Sequence, residues 1–406
     1  MDYLILGGGP AGLSAAAVLR RLDKTGRVTI LAREKTDPYA RIALPYVIKG
    51  AVDAEALFLP APAGIDIALG EEAAGIHPEK REVHTASKKT YRYDKLLIAT
   101  GADPFRPAIP GIRLPFVFTV RDMPDAQGIR KLLKGRKNGH AVVAGAGPVG
   151  LELSDALEKL GYRITLVISS DRVFSTMLDS PASAFLEKKL AEKGVEVRKN
   201  DEVIEILPSG GAVLRSGETR SSDLVIFGKG VAPGIGFLDG SGVHARQGIP
   251  VDAQQQTNLA CIYAAGDVAE TRDIAYEDSR VNALWPEALQ QGKIAAFNMA
   301  GRPFAYEGSF SRNALRVFDT SIQVAGMSKA EGPEVYREAG ADYHRKIVID
   351  DGVLKGFIFL GDIRSIGLYC DLLRRKIPVG SFVGSLLRGS LDVARVMREW
   401  KIERYR

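Results

Sequence analysis

The sequence predicts an α/β protein that contains two parallel-sheet units of one type and a smaller α+β region after them. The first observation is an apolar strand, a glycine turn and an alanine-rich helix at the start of the 406-residue chain. The second is the return of this pattern at Gly145. The third is a change of pattern from about Gly301, where strand-like runs are followed by helical runs. Repeated strand–turn–helix units indicate open sheets covered by helices.

The first glycine turn has the residues and spacing of a dinucleotide-binding fingerprint. It lies between the strand pattern Tyr3 to Leu6 and the helix pattern Leu13 to Leu22. Gly7 permits a tight turn, Gly9 lets the backbone approach a pyrophosphate without a Cβ atom, and Gly12 lets the helix pack closely on the strand. The pyrophosphate would lie on the N–H groups at the helix N-terminus, where the dipole favours negative charge.

An acid completes the first unit. Arg27 to Leu31 is a second strand pattern, and Glu34 follows it, roughly 20 residues beyond the glycines, where it can accept hydrogen bonds from an adenosine ribose. A lone glycine motif is weak evidence because glycine turns also serve structural ends. The strands, the helix and the acid together favour dinucleotide binding over a purely structural turn.

The second unit repeats the fingerprint. A strand pattern, His140 to Ala144, precedes the turn, and a helix pattern, Leu151 to Leu160, and a strand pattern, Arg163 to Ile168, follow it. The turn itself reads Gly145-Ala146-Gly147-Pro148-Val149-Gly150. If both turns were purely structural, the same glycine spacing would have to arise twice by coincidence. We therefore expect one bound flavin and one bound nicotinamide nucleotide.

Further strands and helices are expected between and after these turns. A buried strand, Tyr93 to Ile98, ends in Ala99-Thr100-Gly101, and the prolines that follow it indicate a crossing between domains. The remaining patterns predict short strands at Ile65–His84, Val195–Val197, Val203–Leu207, Asp223–Phe227, Ser321–Ala325, Lys346–Ile349 and Gly356–Leu360, with helices at Ala184–Lys193, Pro286–Met299, Ile366–Leu373 and Leu391–Glu399.

Composition excludes several classes of function. An apolar share of 46% and a charged share of 26% are ordinary for a globular protein, and a net charge of +6 is too small to indicate nucleic-acid binding. The two cysteines form no Cys-x-x-Cys pair, which argues against a metal centre held by this chain and fits a reducing compartment. The apolar N-terminal stretch is interrupted by glycines, and no basic segment precedes it. We expect a cytoplasmic protein with no membrane span and no nucleic-acid partner.

Four motifs, in their order along residues 1–300, resemble the flavoprotein reductases with two dinucleotide folds. That family includes glutathione reductase, NADH oxidases, rubredoxin and ferredoxin reductases and the flavin part of assimilatory nitrite reductase. The four are the two fingerprints, Ala99-Thr100-Gly101 and Ala265-Gly266-Asp267. The resemblance is strongest to the rubredoxin reductase and nitrite reductase branch, through Pro38-Tyr39-Ala40-Arg41 and Trp285-Pro286-Glu287-Ala288 with Gln291-Gly292.

The resemblance implies a Rossmann-like FAD-binding domain of residues 1–110 and 232–300, interrupted by an NAD(P)-binding domain of residues 111–231. Residues 301–406 would form a C-terminal α+β interface domain. Arg41 would lie near the FAD phosphates, Asp267 would hold the ribityl chain, and the helix opened by Pro286 would point its N-terminus at the flavin, where reduction places negative charge. The residues expected to bind FAD are Gly7, Gly9, Pro10, Ala11, Gly12, Arg33, Glu34, Arg41, Ala99, Thr100, Gly101, Gly266, Asp267, Trp285, Pro286, Glu287 and Ala288.

The second fold would bind the nicotinamide nucleotide through Gly145, Gly147, Pro148, Val149 and Gly150. Two interpretations of Glu152 stay open. It matches an acid that many relatives keep beside the nicotinamide, which would make it the catalytic candidate, and it also suits a first-turn acid that complements the helix dipole.

The coenzyme preference depends on the residue at the end of the second strand. Ile168 stands where members that prefer NADH usually carry an acid that grips the 2′-hydroxyl. A 2′-phosphate usually needs a bidentate cationic partner, and the nearby Arg172 is partly offset by Asp171. We therefore favour NADH over NADPH.

A departure from the family pattern limits the route of the electrons. NADH oxidases and coenzyme A disulfide reductases carry a redox cysteine where this chain has Ile42. Cys261 is expected to be a core thiol and Cys370 a core or interface thiol. Electrons would then pass directly between the flavin and a partner at its exposed edge.

The expected function is that of an FAD-dependent oxidoreductase that moves electrons between NAD(P)H and rubredoxin, ferredoxin or an iron–sulphur subunit. A variant is the NADH-forming flavin subunit of a complex that oxidises 2-oxoacids, similar to phenylglyoxylate dehydrogenase. The alternatives are an NADH oxidase or peroxidase and an interaction protein gated by flavin and NADH. Residues 374–406 hold nine Lys or Arg against three Asp or Glu, either a solvated face or a docking surface for an acidic carrier. An oligomer or hetero-complex is expected.

Overall fold

The computed structural model describes residues 1–136, 138–332, 334–361, 366–392, 394, 396 and 398. The chain divides into two compact units. The first consists of Met1–Ala43, Asp53–Asp103 and Val231–Ser311, and the second of Leu44–Val52, Pro104–Gly230 and Arg312–Arg406.

The described residues form eight α-helices and short 3-10 helices between them. The α-helices are α1 Pro10–Leu22, α2 Leu44–Lys49, α3 Met123–Leu133, α4 Pro148–Lys159, α5 Ser180–Glu192, α6 Trp285–Met299, α7 Ile366–Arg375 and α8 Val383–Arg388. The 3-10 helices are Arg41–Ala43, Ala54–Leu57, Pro78–Lys80, Gly236–Leu238 and Gly380–Phe382.

The strands are mostly short and number 26 among the described residues. They are β1 Asp2–Leu6, β2 Arg27–Ala32, β3 Asp66–Leu69, β4 Ala73–His77, β5 Glu82–Thr85, β6 Thr90–Arg92, β7 Lys95–Ile98, β8 Ala102–Pro104, β9 Val117–Phe118, β10 His140–Ala144, β11 Arg163–Val167, β12 Glu196–Arg198, β13 Val203–Ile206, β14 Ala212–Leu214, β15 Thr219–Arg220, β16 Leu224–Phe227, β17 Val231–Pro233, β18 Ile249–Pro250, β19 Ile262–Ala264, β20 Ala269–Arg272, β21 Ser279–Arg280, β22 Arg312–Val317, β23 Thr320–Gly326, β24 Val335–Ala339, β25 His344–Asp350 and β26 Val353–Leu360.

The first unit is built on a parallel sheet in the order β19-β7-β1-β2-β3. Strand β1 is central and buried on both faces, which explains its continuous apolar run. Tyr3 and Ile5 pack into the core formed with α1 and α6, and Leu4 and Leu6 pack into the core on the opposite face. Successive side chains of a strand point to opposite faces, so this one run serves two cores.

The second unit contains a matching parallel sheet in the order β12-β11-β10-β16-β9. The same unit contains an antiparallel sheet in the order β22-β23-β26-β25-β24. The predicted α/β class with repeated Rossmann-like units is confirmed. Asp155 on α4 connects the two sheets of this unit, because its carboxylate accepts a hydrogen bond of 2.7 Å from the backbone N–H of Phe318.

The structure differs from the sequence prediction at several element ends. Helices α1 and α4 begin at Pro10 and Pro148, three residues before the predicted starts, because proline suits the first turn of a helix. Helix α3 was not predicted, although its cap was visible in the sequence. Asp122 accepts a hydrogen bond from the N–H of Asp125, and a proline stands in the first turn. Of the helix predicted over Leu391–Glu399, residues 393, 395, 397 and 399 lie outside the described residues, and residues 394, 396 and 398 are helical.

None of the helices in the described part of the chain is long and apolar enough to cross a membrane. The described residues also contain no group of three or more His, Cys, Asp or Glu side chains that could hold a metal ion.

Candidate functional site

The glycine turn of the first unit is shaped by backbone contacts at two of its glycines. Gly7 adopts a φ of 112°, and a Cβ atom there would lie 2.2 Å from the carbonyl oxygen of Ala99. A Cβ atom on Gly12 would lie 2.0 Å from the carbonyl oxygen of Gly7. A Cβ atom on Gly9 would meet no protein atom within 4 Å. The turn therefore needs Gly7 and Gly12 for its own packing, while the space in front of Gly9 is open to a ligand.

Helix α1 presents its N-terminus at this open space. Gly9 is the N-cap residue and supplies no side-chain cap, Pro10 occupies the first turn, and that turn contains no acid. The first N–H groups of a helix have no partner within the helix, so they can bind an anion. Ala11 is buried and leaves this end of the helix free of bulky side chains. The arrangement fits a pyrophosphate.

Glu34 is held by two neighbouring side chains. Its Oε2 accepts a hydrogen bond of 2.6 Å from the Tyr39 hydroxyl, and its Oε1 accepts one of 2.7 Å from Nη2 of Arg41. Burial raises the pKa of Glu34, but the charge of Arg41 and the Tyr39 hydroxyl outweigh burial and hold the pKa below its ordinary value. Glu34 is thus a fixed carboxylate at the end of β2, and Arg41 is bound to it.

Arg33 precedes Glu34 in the sequence, but its guanidinium interacts with two other acids. Its guanidinium binds both carboxylate oxygens of Asp103, at 2.5 and 3.2 Å, and lies 3.7 Å from Glu72. These contacts raise the pKa of Arg33, mainly through the hydrogen bond to Asp103. The guanidinium therefore links the end of β2 to strand β8 and to the turn between β3 and β4.

The motifs Ala99-Thr100-Gly101 and Gly266-Asp267 lie at the carboxyl ends of the neighbouring strands β7 and β19. The Thr100 hydroxyl donates to the carbonyl oxygen of Gly234, and Gly101 has a positive φ of 70°. Gly266 also has a positive φ, and a Cβ atom on it would lie 3.2 Å from the Cβ of Ala11. Asp267 is half-buried in the following turn. The sheet therefore brings both motifs to the edge that carries the glycine turn.

Helix α6 packs closely against α1 in the same unit. A Cβ atom on Gly292 would lie 2.2 Å from the carbonyl oxygen of Ala11, and the Ser14 hydroxyl donates to the carbonyl oxygen of Leu289 at 2.9 Å. At the start of α6, Trp285 is half-buried and Pro286 is exposed. The close packing fixes the N-terminus of α6 relative to the glycine turn.

The next two residues of α6 face the protein interior. Ala288 is buried, and its Cβ would lie 3.5 Å from a Cβ atom on Gly266. Glu287 is only 1% exposed, and its carboxylate accepts a hydrogen bond of 2.5 Å from the hydroxyl of Tyr306. Any contact of Glu287 with a cofactor would therefore be through its backbone.

The glycine turn of the second unit repeats this geometry. Gly145 has a φ of 114°, and a Cβ atom on Gly150 would lie 2.0 Å from the Gly145 carbonyl oxygen. A Cβ atom on Gly147 would meet no protein atom within 4 Å. Pro148 occupies the first turn of α4, and the side chain of Val149 is exposed. This turn has the same open space for an anion as the first.

Glu152 is the fifth residue of α4 and lies beyond the first turn, which contains no acid. Burial, assisted by the charge of Asp155, raises the pKa of Glu152 to about 6. Within the described residues, its carboxylate has no hydrogen-bond or ion-pair partner. A half-buried acid without a partner is placed to respond to a bound ligand.

The residues near the end of β11 bear on whether a 2′-phosphate could bind there. They are one apolar side chain and arginines that form ion pairs with carboxylates. Ile168 is 3% exposed. Arg172 forms an ion pair of 2.9 Å with Asp171, and Arg198 forms pairs of 3.0 and 2.8 Å with Glu196 and Glu218. These two arginines already have carboxylate partners, so a 2′-phosphate would have to displace them.

Cys261 lies away from the predicted flavin contacts of the first unit. Ile42 is 60% exposed where thiol-dependent relatives carry a cysteine. Cys261 precedes β19, and its Sγ lies 3.4 Å from Nζ of Lys95 at the start of β7. The glycine turn is at the carboxyl ends of these parallel strands, so about four residues, or roughly 13 Å, separate Cys261 from that edge. Cys370 belongs to the second unit, and burial raises the pKa of its thiol.

The repeated geometry of the two glycine turns agrees with a match to a known family. The model of the family described as "pyridine nucleotide-disulphide oxidoreductase" matches residues 1–292, more than half of the chain. The chain belongs to this family. This oxidoreductase is therefore a flavin-dependent enzyme that uses FAD and NAD(P)H, as the sequence predicted.

Relatives of this oxidoreductase cover between about three quarters and nearly all of its length. It is 31% identical over 407 residues to the "NADH-dependent phenylglyoxylate dehydrogenase subunit epsilon" of Aromatoleum evansii, covering 97% of this chain and 96% of that one. It is 30% identical to the "rubredoxin-NAD(+) reductase" of Pseudomonas putida, covering 74% of this chain and 80% of that one. The solved structure of an NAD-dependent persulfide reductase from A. fulgidus is similar with a TM-score of 0.87 at 26% identity, covering 97% of this chain and 79% of that one.

Several residues of the site were not found by sequence reasoning. Tyr39 was noted only as part of a motif, although its hydroxyl fixes Glu34. Asp103, which holds Arg33, and Tyr306, which holds Glu287, are distant in sequence from their partners. No local sequence pattern predicts such pairs, because they form only when the fold brings separate segments together.

Proposed function

We propose that this oxidoreductase moves electrons directly between NAD(P)H and a protein partner with an iron or iron–sulphur centre. The observation that carries the proposal is the exposed side chain of Ile42, where thiol-dependent relatives carry a redox cysteine. Cys261 lies toward the opposite edge of the sheet, so it cannot relay electrons from the predicted flavin contacts. Relatives named for rubredoxin reduction and for a dehydrogenase subunit support a protein partner.

FAD, when bound, supplies the exchange of a two-electron hydride for single electrons. We assign its pyrophosphate to the N-terminus of α1 beside Gly9, where the open space and the unpartnered N–H groups fit an anion. Glu34 would accept the ribose hydroxyls while Arg41 keeps it charged. Asp267 would hold the ribityl chain, and the N-terminus of α6 would stabilise negative charge on the reduced ring.

We assign the nicotinamide nucleotide to the turn at Gly147, with Glu152 beside the nicotinamide. The position of Glu152 beyond the first turn of α4 supports this role over simple compensation of the helix dipole. We favour NADH because Ile168 adds no charge and the nearby arginines are already paired. A 2′-phosphate is bound well only by free, fork-like cations.

We further propose that the partner is an iron–sulphur subunit in a hetero-complex, in which the chain would form NADH. The support is the relative from Aromatoleum evansii, which matches end to end and is itself named as a subunit. A reducing cytoplasmic location suits both forms of the proposal, since the two cysteines, Cys261 and Cys370, are both free thiols.

The test starts from the purified chain under anaerobic conditions. We expect one FAD per chain, bleaching of the flavin by NADH, and rapid reoxidation by a rubredoxin or a ferredoxin. Rapid turnover on oxygen alone, unaffected by any carrier, would instead identify an oxidase. Tagged chain isolated from its native cells distinguishes the two forms, because a complex subunit brings iron–sulphur polypeptides with it and a free reductase does not.

A further inference from the structure

A buried carboxylate lies in the first turn of α6, the helix whose N-terminus we assign to the flavin. Glu287 is the third residue of that helix and is 1% exposed. Tyr306, also buried, donates its hydroxyl proton to Oε2 of Glu287 at 2.5 Å. That distance is typical of a hydrogen bond from a hydroxyl to an ionised carboxylate.

The surrounding hydrogen bonds fix the direction of this contact. The N–H of Gly266 donates to Oε1 of Gln291 at 2.8 Å, so the amide nitrogen of Gln291 faces Tyr306, with Nε2 at 3.4 Å from the hydroxyl oxygen. The tyrosine oxygen therefore accepts a hydrogen bond from Gln291. Its own proton points to Glu287, which is the acceptor at the end of the chain of bonds.

A second branch of hydrogen bonds also reaches the tyrosine. Nδ2 of Asn282 donates both to Oδ2 of Asp273, at 2.9 Å, and to the Ser309 hydroxyl oxygen, at 3.0 Å. The Ser309 hydroxyl in turn bonds Tyr306. Burial and then the charge of Glu287 raise the pKa of Tyr306, so the tyrosine keeps its proton. Both branches therefore end at the Tyr306 hydroxyl, which donates its proton to Glu287.

The position of Glu287 has an electrostatic consequence. A buried charge is costly unless it is compensated, and the positive end of the α6 dipole together with the Tyr306 proton provides that compensation. The helix end stabilises the carboxylate, and the carboxylate in turn cancels part of the positive potential at the helix end. A reduced flavin at this end would gain less stabilisation than it would from the same helix without the acid.

We propose that Glu287, held as a hydrogen-bond acceptor by Tyr306, lowers the reduction potential of the bound flavin and so favours the formation of NADH. NAD+ would accept a hydride, which is one proton with two electrons; the iron–sulphur partner would return the two electrons and solvent the proton. The inference rests on the proposed placement of FAD at α1 and α6. It deepens that proposal by giving the physiological direction of electron flow.

The first test measures the midpoint potential of the flavin in wild-type protein and in Glu287→Gln, by anaerobic titration with a reference dye. We expect a shift of about 30 mV or more to positive potential, which for a two-electron couple is a tenfold change in the equilibrium constant. The matched control is Glu307→Gln, which removes one charge from an exposed neighbour of Tyr306 and should leave the potential unchanged.

A second variant keeps the inference testable if Glu287→Gln loses FAD. Tyr306→Phe removes the donor but keeps the ring, so the Glu287 carboxylate is no longer held in place beside the helix end. We expect a smaller shift in the same direction. Loss of FAD from both variants with native far-UV circular dichroism would mean that the pair acts only in retaining the cofactor, and would overturn the electrostatic role.

The outcomes separate this inference from the proposed function. An unchanged potential in FAD-loaded Glu287→Gln overturns the inference and leaves the proposed function intact. A wild-type chain that binds no FAD, or whose flavin NADH does not reduce, would count against the proposed function itself, before any variant is compared.

Discussion

The carbonyl oxygen of Gly7 lies 2.0 Å from the position that a Cβ atom would take on Gly12. No side-chain rotation can relieve this contact, because both partners belong to the backbone. Gly12 is therefore required for the packing of α1 on β1. Gly9, three residues earlier, has no such neighbour, so two glycines of one motif meet different demands.

This contrast yields a matched pair of substitutions. Gly9→Val should fold and remain colourless, because the new side chain fills the space assigned to the pyrophosphate. Gly12→Ala should lower the stability by about 1–3 kcal/mol, the usual cost of overpacking, or more if the turn cannot shift. Flavin absorbance of the purified proteins and their thermal unfolding check both. A yellow, FAD-loaded Gly9→Val would show that the assignment is wrong.

The second turn predicts a separate effect on the other nucleotide. Gly147→Val should keep its FAD and raise the KM for NADH by about tenfold or more, which corresponds to a loss of about 1.4 kcal/mol in binding. Stopped-flow reduction of the flavin over a range of NADH concentrations measures this. Loss of FAD with unchanged affinity for NADH would reverse our assignment of the two turns.

Glu152 predicts a dependence of stability on pH. Its pKa is raised from 4.5 to about 6, so between these values the folded protein binds more protons than the unfolded chain. The contribution to stability is full below pH 4.5 and is lost as the pH rises to about 6, by up to about 2 kcal/mol. Compared with wild type, Glu152→Gln should gain stability through this window and keep a constant advantage above it.

Thermal unfolding at intervals from pH 4.5 to 7.5 checks this, with Glu158→Gln on the same helix as a control for the loss of one charge. A constant difference in stability between wild type and Glu152→Gln across the window would contradict the raised pKa.

The same variant, Glu152→Gln, tests the role of this acid in nucleotide binding. A higher KM for NADH at unchanged FAD content supports a position beside the nicotinamide.

Electron transfer without a thiol predicts insensitivity to alkylation. A maleimide applied to the NADH-reduced protein should leave its reduction of a carrier unchanged, and the double variant Cys261→Ser, Cys370→Ser should behave like wild type. A thiol relay requires a free thiolate, and burial raises the pKa of Cys370. Inactivation that is absent from the double variant would reveal a thiol in the electron path.

The basic residues at the end of α7 predict a salt-dependent docking effect. Charge reversal of Arg374 and Arg375 should lower kcat/KM for an acidic carrier by about tenfold and spare the reduction of ferricyanide. Arg375 forms an ion pair of 2.8 Å with Asp371 on the same helix. Reversal of Lys80 and Arg81, an exposed pair in the first unit, is the matched control. Equal loss with both acceptors would refute docking at these arginines.

Much of the fold was predictable because its signals are local. The two glycine turns, the buried run of β1 and the proline at the start of α6 each lie within a few residues of sequence. The sequence predicts that α1 and α4 start at Leu13 and Leu151, three residues after their observed starts at Pro10 and Pro148. Helix α3 was missed, although Asp122 caps it and a proline stands in its first turn.

The sequence by itself determined the repeated fold, the family and the pair of cofactors, since glycine spacing and strand patterns are properties of short segments. Only the tertiary structure decided which charges are engaged. It placed Arg41 on Glu34, Arg33 on Asp103, and Tyr306 on Glu287. The physical reason is that an ion pair or a buried hydrogen bond depends on distance in space and not on spacing along the chain. Arg33 and Asp103, for example, meet only after strands from separate parts of the chain have packed.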